Sequence, residues 1–267
     1  MQRNRVWQDE LSLWQDAAAK SPLMPRVHVH LGNALSAAGD RSQAMIAFTK
    51  AVNLDPEHRA AHTNLGNIAY ELALEESDPR RRKRHLGTAQ AAYQKVLLMD
   101  AGHKEALNNL GSVYLIQQDH TKAMELYDHL VTIHPNFADG HYNRGQAALG
   151  LDKLEEAQLS FANNVRLAPA AAGYVALGQV YVKTDNLDAA ARAFEQAAAL
   201  DPTVATHQYN LAAVLLSLGE RRLQTGDQDE AMRLWSRARN RLGKTLELEP
   251  VHPRALRRLA QLEGRLK

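Results

Sequence analysis

The sequence predicts an all-α protein built from helical hairpins stacked in series, and three observations predict it. A Leu-Gly pair or its near equivalent returns along the chain as Leu31-Gly32, Leu65-Gly66, Leu110-Gly111, Arg144-Gly145, Leu177-Gly178 and Leu211-Ala212. Each is followed by a small residue with an aromatic four positions later: Ala44/Phe48, Ala89/Tyr93, Ala123/Tyr127, Ala157/Phe161, Ala190/Phe194 and Ala231/Trp235. The units then close on Pro56, Pro135, Pro169, Pro202 and Pro250, with Ala101 in that slot once. A Pro just past a periodic stretch stops a helix, because its ring cannot continue the backbone hydrogen bonding.

Each element has a local reason. Apolar residues recur at three- and four-residue steps, as in Leu107, Leu110, Tyr114 and in Met124, Tyr127, Val131, which puts them on one helical face. No stretch alternates with strand period for any length. Gly and Ala at the crossing let two backbones approach, and the aromatic fills the space beside them. Gly39-Asp40, Asp185-Asn186 and Gly226-Asp227 supply the turns between paired helices.

This pattern resembles the tetratricopeptide repeat, a helix–turn–helix unit of about 34 residues. The resemblance covers nearly the whole chain. It implies a right-handed α-α superhelix of six repeats over 25–58, 59–103, 104–137, 138–170, 171–204 and 205–252. Residues 1–24 read as a half-repeat, a second helix over 5–20 with Trp14 in the aromatic slot and Trp7 and Leu11 extending its apolar face. Residues 253–267 read as a capping helix with Leu256, Leu259 and Leu262 inward and Arg outward. The second and sixth repeats are too long, at 45 and 48 residues. Their additions keep apolar periodicity (Leu72, Leu74 and Leu86; Leu218, Leu223, Leu234, Trp235 and Leu242), so the hairpins read as lengthened rather than broken, with Asp78 and Pro79 starting a helix at the new turn.

In such a superhelix the first helices line the concave wall. The residue before Leu-Gly and the one two places after Leu lie three apart, so both face that groove. Along the chain this face reads His30/Asn33, Asn64/Asn67, Asn109/Ser112, Asn143/Gln146, Ala176/Gln179 and Asn210/Ala213, with Asn108, Tyr142 and Tyr209 beside it. A carboxamide carries a donor and an acceptor, matching the N–H and C=O of an extended peptide whatever its side chains. The ladder resembles the one in the repeat domain of O-GlcNAc transferases, which implies backbone recognition by Asn64, Asn109, Asn143 and Asn210. The same amides can instead bond neighbouring helices. The carboxylate clamp of chaperone-tail binders is excluded, because its first Lys slot holds Val29, Thr63, Asn108, Tyr142, Val175 and Tyr209.

Composition narrows the function. The absence of Cys removes disulfides, thiolate metal sites and cysteine nucleophiles. No zinc-protease, phosphate-loop or nucleophile-elbow motif is present, so the expectation is a scaffold with no active site, cofactor or metal of its own, bound by a protein or peptide and not by nucleic acid. His58, His103 and His252 share one unit-closing slot, so their repetition reads as structural. The run Arg80, Arg81, Arg82, Lys83, Arg84 is a candidate anion-binding patch or the solvated start of a helix. From Arg233 onward ten Lys/Arg stand against Glu247, Glu249 and Glu263, so this end carries +7 and the rest −5 of the net +2.

No run reaches the roughly 20 apolar residues needed to span a bilayer, and the N-terminus lacks a secretory apolar stretch, so the chain as given reads as soluble. The opening segment RNRVWQDELSLWQDAAAKSPLMPR resembles the junction at which such repeats follow the last membrane helix of polytopic glycosyltransferase-like proteins. That resemblance implies an alternative: an extracytoplasmic or periplasmic domain that recruits acceptor proteins, where a native start at Met1 implies a cytoplasmic scaffold. Self-association through the open repeat ends is a further expectation.

Overall fold

The computed structural model describes residues 9–265, and every regular element in that span is an α-helix. The chain forms two compact units, Met1–Pro135 and Asn136–Lys267. The first unit contains α1 (Glu10–Lys20), α2 (Pro25–Ala37), α3 (Arg41–Leu54), α4 (Arg59–Glu75), α5 (Pro79–Met99), α6 (Lys104–Ile116) and α7 (His120–Ile133). The second contains α8 (Ala138–Gly150), α9 (Leu154–Leu167), α10 (Ala171–Lys183), α11 (Leu187–Leu200), α12 (Ala205–Gln224), α13 (Gln228–Leu248) and α14 (Pro253–Arg265). Within each unit the helices pair as antiparallel hairpins, and each hairpin packs on the next. The predicted start of the first helix at residue 5 and the place given to Trp7 lie outside the described residues, as do positions 266 and 267 of the predicted capping helix.

The crossing at each hairpin is a glycine beneath a ring. A Cβ on Gly66 would stand 2.5 Å from the Tyr93 ring, and one on Gly111 would stand 2.5 Å from that of Tyr127. Gly32/Phe48, Gly145/Phe161 and Gly178/Phe194 meet in the same way. Tyr93, Tyr127 and Phe161 are wholly buried. Burying a side chain of this size contributes about 1.5–3 kcal/mol or more, so these rings are the main anchors between paired helices.

The sixth hairpin departs from the expected alignment. Trp235 lies over Gly219, and not over the Leu211-Ala212 level with which the sequence pattern pairs it. Counted back from Pro250, the aromatic slot is Leu242 and the small slot Ala238, both wholly buried. Helices α12 and α13 have 20 and 21 residues against 13 and 14 in α10 and α11. Each arm is thus two turns longer, and the glycine–aromatic crossing of Gly219 and Trp235 is built outside the level of Ala212 and Leu242. Three leucines of the expected apolar pattern are about half exposed: Leu74 at 52%, Leu223 at 46% and Leu256, read as inward, at 48%. Ala73 and Ala255 take the buried positions beside two of them, because a helix advances 100° per residue and the smaller neighbour points directly at the packed face.

Caps fix the helix ends. Asp40, Asp78, Asp119, Asn186 and Asp227 each accept a hydrogen bond from a backbone N–H of the first turn. The shared histidine slot does the same work: Nδ1 of His58, His103 and His252 accepts from the amides of Ala61, Ala106 and Ala255. Replacing His103 with Ala is expected to cost about 0.5–2 kcal/mol of stability, and replacing it with Asn to restore most of that loss, as read by denaturant unfolding. Gly39 and Gly226 turn with φ of 84° and 86°, and Asp185 with 59°. Gln118 and Asp152 adopt the same left-handed conformation without the turn signal a glycine gives.

Candidate functional site

In the first unit α2, α4 and α6 present the predicted amides, and the structure joins them into a network. Asn64 Nδ2 donates to Asn33 Oδ1 at 2.9 Å. Asn67 Oδ1 accepts from the Tyr93 hydroxyl at 2.7 Å and from Asn109 Nδ2 at 3.1 Å, while its own Nδ2 donates to Glu105 at 2.6 Å. Asn109 Nδ2 also reaches the Tyr93 oxygen at 3.4 Å, and its Oδ1 accepts from Asn108 Nδ2 at 3.0 Å. Ser112 Oγ bonds the Asn108 carbonyl and the Tyr127 hydroxyl, each at 3.1 Å.

The expectation of a uniform peptide-facing ladder needs correction here. An amide has two N–H groups and an oxygen able to accept twice. At Asn109 the amino group donates to Asn67 and Tyr93 while the oxygen accepts from Asn108, and at Asn67 the oxygen accepts twice while the amino group donates to Glu105; these two amides tie α4, α5 and α6 together. Asn33 and Asn64 differ. A single bond joins them, leaving the Asn33 amino group and the Asn64 carbonyl oxygen with hydrogen-bonding capacity to spare. Both side chains line a cleft of 360 Å³ with Ser36, Asn67 and Glu71 over a floor of Phe48 and Ile68. Glu71 is paired in turn with Arg41, whose guanidinium lies 2.9 Å from it and 3.4 Å from Glu75.

Glu71 and Glu105 were not among the residues singled out by sequence, although the signal was available. Glu71 follows Asn64 by seven positions and Glu105 precedes Asn109 by four, so both share the ladder's face. Their charges act on the buried phenol of Tyr93. Burial pushes the Tyr93 hydroxyl above the ordinary phenol range, Asn109 pulls it back, and the Glu105 and Glu71 carboxylates raise it further. Tyr127 is raised by burial too, against the opposing hydrogen bond of Ser112.

His30, at the start of the predicted ladder, stacks on Trp14 with ring centroids 4.2 Å apart, so it joins α2 to α1. In the second unit Asn143 and Gln146 are half-buried on α8, and Tyr142 sets its edge against Phe161 at 5.6 Å. Arg144 replaces the usual Leu of that pair and is tolerated because its guanidinium donates to the buried Ser160 at 2.6 Å and approaches Glu156 at 3.5 Å. Gln179 is exposed on α10, whereas Ala176 is buried. On α12 Asn210 is half-buried, while Tyr209 packs against His252 at 4.8 Å beneath Arg258. Tyr209 therefore holds α14 in place.

Arg80, Arg81, Arg82, Lys83 and Arg84 occupy the first turns of α5, all exposed, with Asp78 capping the helix and standing 3.7 Å from Arg81. None of them lines the cleft described above. Among the described residues no group of three or more His, Asp or Glu could hold a metal ion, and no helix is long and apolar enough to cross a membrane.

Three family models, each described as a tetratricopeptide repeat, match residues 25–58, 74–136 and 171–204. No curated protein matches the chain in sequence. Among solved structures, the chain is similar to the C-terminal part of a repeat-containing protein of this type from Cytophaga hutchinsonii, with a TM-score of 0.68, 15% identity and 92% of each chain covered. It is also similar to a tetratricopeptide repeat protein from Parabacteroides merdae, with a TM-score of 0.60, 16% identity, and 95% of this chain and 90% of that one covered. A third likeness is to YrrB, described as having an unusual peptide-binding site, with a TM-score of 0.58, 19% identity, and 71% of this chain and 92% of that one covered. At these identities the likeness concerns the fold.

Proposed function

The chain is a tetratricopeptide repeat protein, and on that premise we propose that it is a non-catalytic scaffold that binds an extended peptide segment of a protein partner along the first helices of its hairpins. The observation that carries this reading is the 360 Å³ cleft where Asn33 and Asn64 hold unspent hydrogen-bonding capacity above an apolar floor. A peptide N–H and C=O in that cleft pair with the Asn64 oxygen and the Asn33 amino group. Asn67 and Asn109 act as its frame, already locked by Tyr93. The carboxamides Gln146, Gln179 and Asn210 offer donors and acceptors of the same kind in the second unit.

Magnitudes limit the affinity. Each amide contact contributes about 0.5–1.5 kcal/mol net, and association costs about 4 kcal/mol or more. A bare peptide therefore binds at about micromolar Kd or weaker, and apolar anchors must supply the rest. The test is a partner recovered by pull-down and titrated by calorimetry against the double variant Asn33→Ala with Asn64→Ala. Affinity is expected to fall about tenfold, the equivalent of 1.4 kcal/mol, with little change in Tm. Undiminished affinity in a folded double variant removes the cleft from the reading.

A further inference from the structure

The basic end of the chain carries a groove of its own. We propose that the groove between α13 and α14 binds an acidic peptide segment, separately from the amide-lined cleft of the first unit. The groove has a volume of 660 Å³, and Arg237, Arg239, Arg241 and Lys244 line it.

The structure contains an internal example of the recognition. Glu195 of α11 places one carboxylate oxygen 3.3 Å from Arg237 and 3.8 Å from Arg241. Arg241 is held in place by a 3.0 Å bond to the buried Gln208. Arg239 is tied more loosely, 3.7 Å from Glu263, and the exposed Lys244 has no ion pair among the described residues. Lys244 and Arg239 are therefore the cations available to a partner. A guanidinium forks onto a carboxylate, and an ammonium meets one as a point charge.

The arrangement favours a peptide over a compact phosphate. From Arg237 to Lys244 the cations spread along about 10 Å of helix, at 1.5 Å per residue, instead of converging on a point. An extended chain repeats its side chains on one face every ~7 Å, so carboxylates on alternate residues can follow such a stripe. Glu247 and Glu263 also line the groove; they repel a dianion but accept main-chain N–H groups, and Asn240 can both donate and accept. At Gly243 a Cβ would meet nothing within 4 Å, so the surface there is open to an approaching backbone, and Leu259 adds an apolar contact.

The experiment uses the full chain and a fluorescein-labelled peptide in which Glu alternates with Gly, titrated by anisotropy at low ionic strength where such contacts are strongest. Arg239→Glu with Lys244→Glu is expected to weaken binding about tenfold or more, and Glu247→Gln with Glu263→Gln to strengthen it. Arg80→Glu with Arg82→Glu makes the same change in net charge and is expected to leave binding within about twofold. Should Arg239→Glu disturb the packing of α14, Lys244→Gln alone, at an exposed and unpaired position, carries the test. Equal weakening by the two charge-matched pairs overturns the proposal, as does capture by phosphatidylserine vesicles with no binding of the peptide. Because the amide cleft plays no part, Asn33→Ala with Asn64→Ala leaves this binding intact.

Discussion

Replacing Tyr93 with Ala is expected to cost about 3–5 kcal/mol of stability, the range found when a buried aromatic is truncated to a cavity. The ring is wholly buried over Gly66, and its hydroxyl joins Asn67 to Asn109. Tyr93→Phe separates the two contributions: it keeps the packing and removes one polar node, for an expected loss of about 1 kcal/mol. Against a typical total of about 5–15 kcal/mol, the Ala variant removes much of the stability, while the Phe variant tests only the network. Chemical denaturation followed by circular dichroism measures both. A loss in Tyr93→Ala as small as that in Tyr93→Phe contradicts the packing argument.

The same residue sets an alkaline limit. Burial raises the folded-state phenols of Tyr93 and Tyr127 above the value of about 10 that an unfolded tyrosine shows. A raised folded value means the native state retains protons that the unfolded chain gives up. Their contribution is complete below about pH 10 and is lost as pH rises further. A Tm that falls above that point, and falls less steeply in Tyr93→Phe, is the expected profile.

The second large effect concerns the displaced crossing of the sixth hairpin. Gly219→Val is expected to destabilise the protein by about 1–3 kcal/mol, because the new side chain enters space held by the Trp235 indole. That ring has little freedom to move: it is buried, and its Nε1–H donates to the Leu216 carbonyl at 3.4 Å. If Ala212, and not Gly219, were the partner of Trp235, Gly219→Val would be nearly silent. Unfolding of Gly219→Val measured beside Gly243→Val, which meets open space, separates steric conflict from the general effect of a β-branched residue in a helix.

Much of the architecture was legible in the sequence because it rests on strictly local signals. Gly66 and Tyr93, or Gly178 and Phe194, are a small residue and a ring at recurring positions, and hydrophobic period and proline stops place the helices around them. The sixth repeat misled because Leu211-Ala212 and Trp235 both keep the right face while standing at different levels along the helices. Periodicity reports the face and is blind to the level. Leu256 failed for a related reason: with Ala255 beside it, hydrophobicity favours the larger residue, whereas the packed face takes the small one.

The amides could be listed from the sequence, and their hydrogen-bonding state was not legible. Whether Asn67 or Asn109 is free depends on which hydroxyl or carboxylate lies across the neighbouring helix, and the partners Tyr93 and Glu105 come from other helices than Asn67 does. The basic C-terminus was visible as a charge count, but its groove needed α14 to pack beside α13. Glu195, more than forty positions before Arg237, gave no sign of meeting it.

The lengths of the long hairpins carry a rule for insertions. Helix α4 exceeds α2 by four residues, and α5 exceeds α3 by seven, as α12 and α13 exceed α10 and α11. At 100° per residue, four rotate the chain beyond by a net 40° and seven by −20°, so the oily stripe stays continuous. Five would swing it by 140° and turn that stripe into water. Growth of such arms is quantised, and natural length variants of this molecule should differ by threes, fours and sevens.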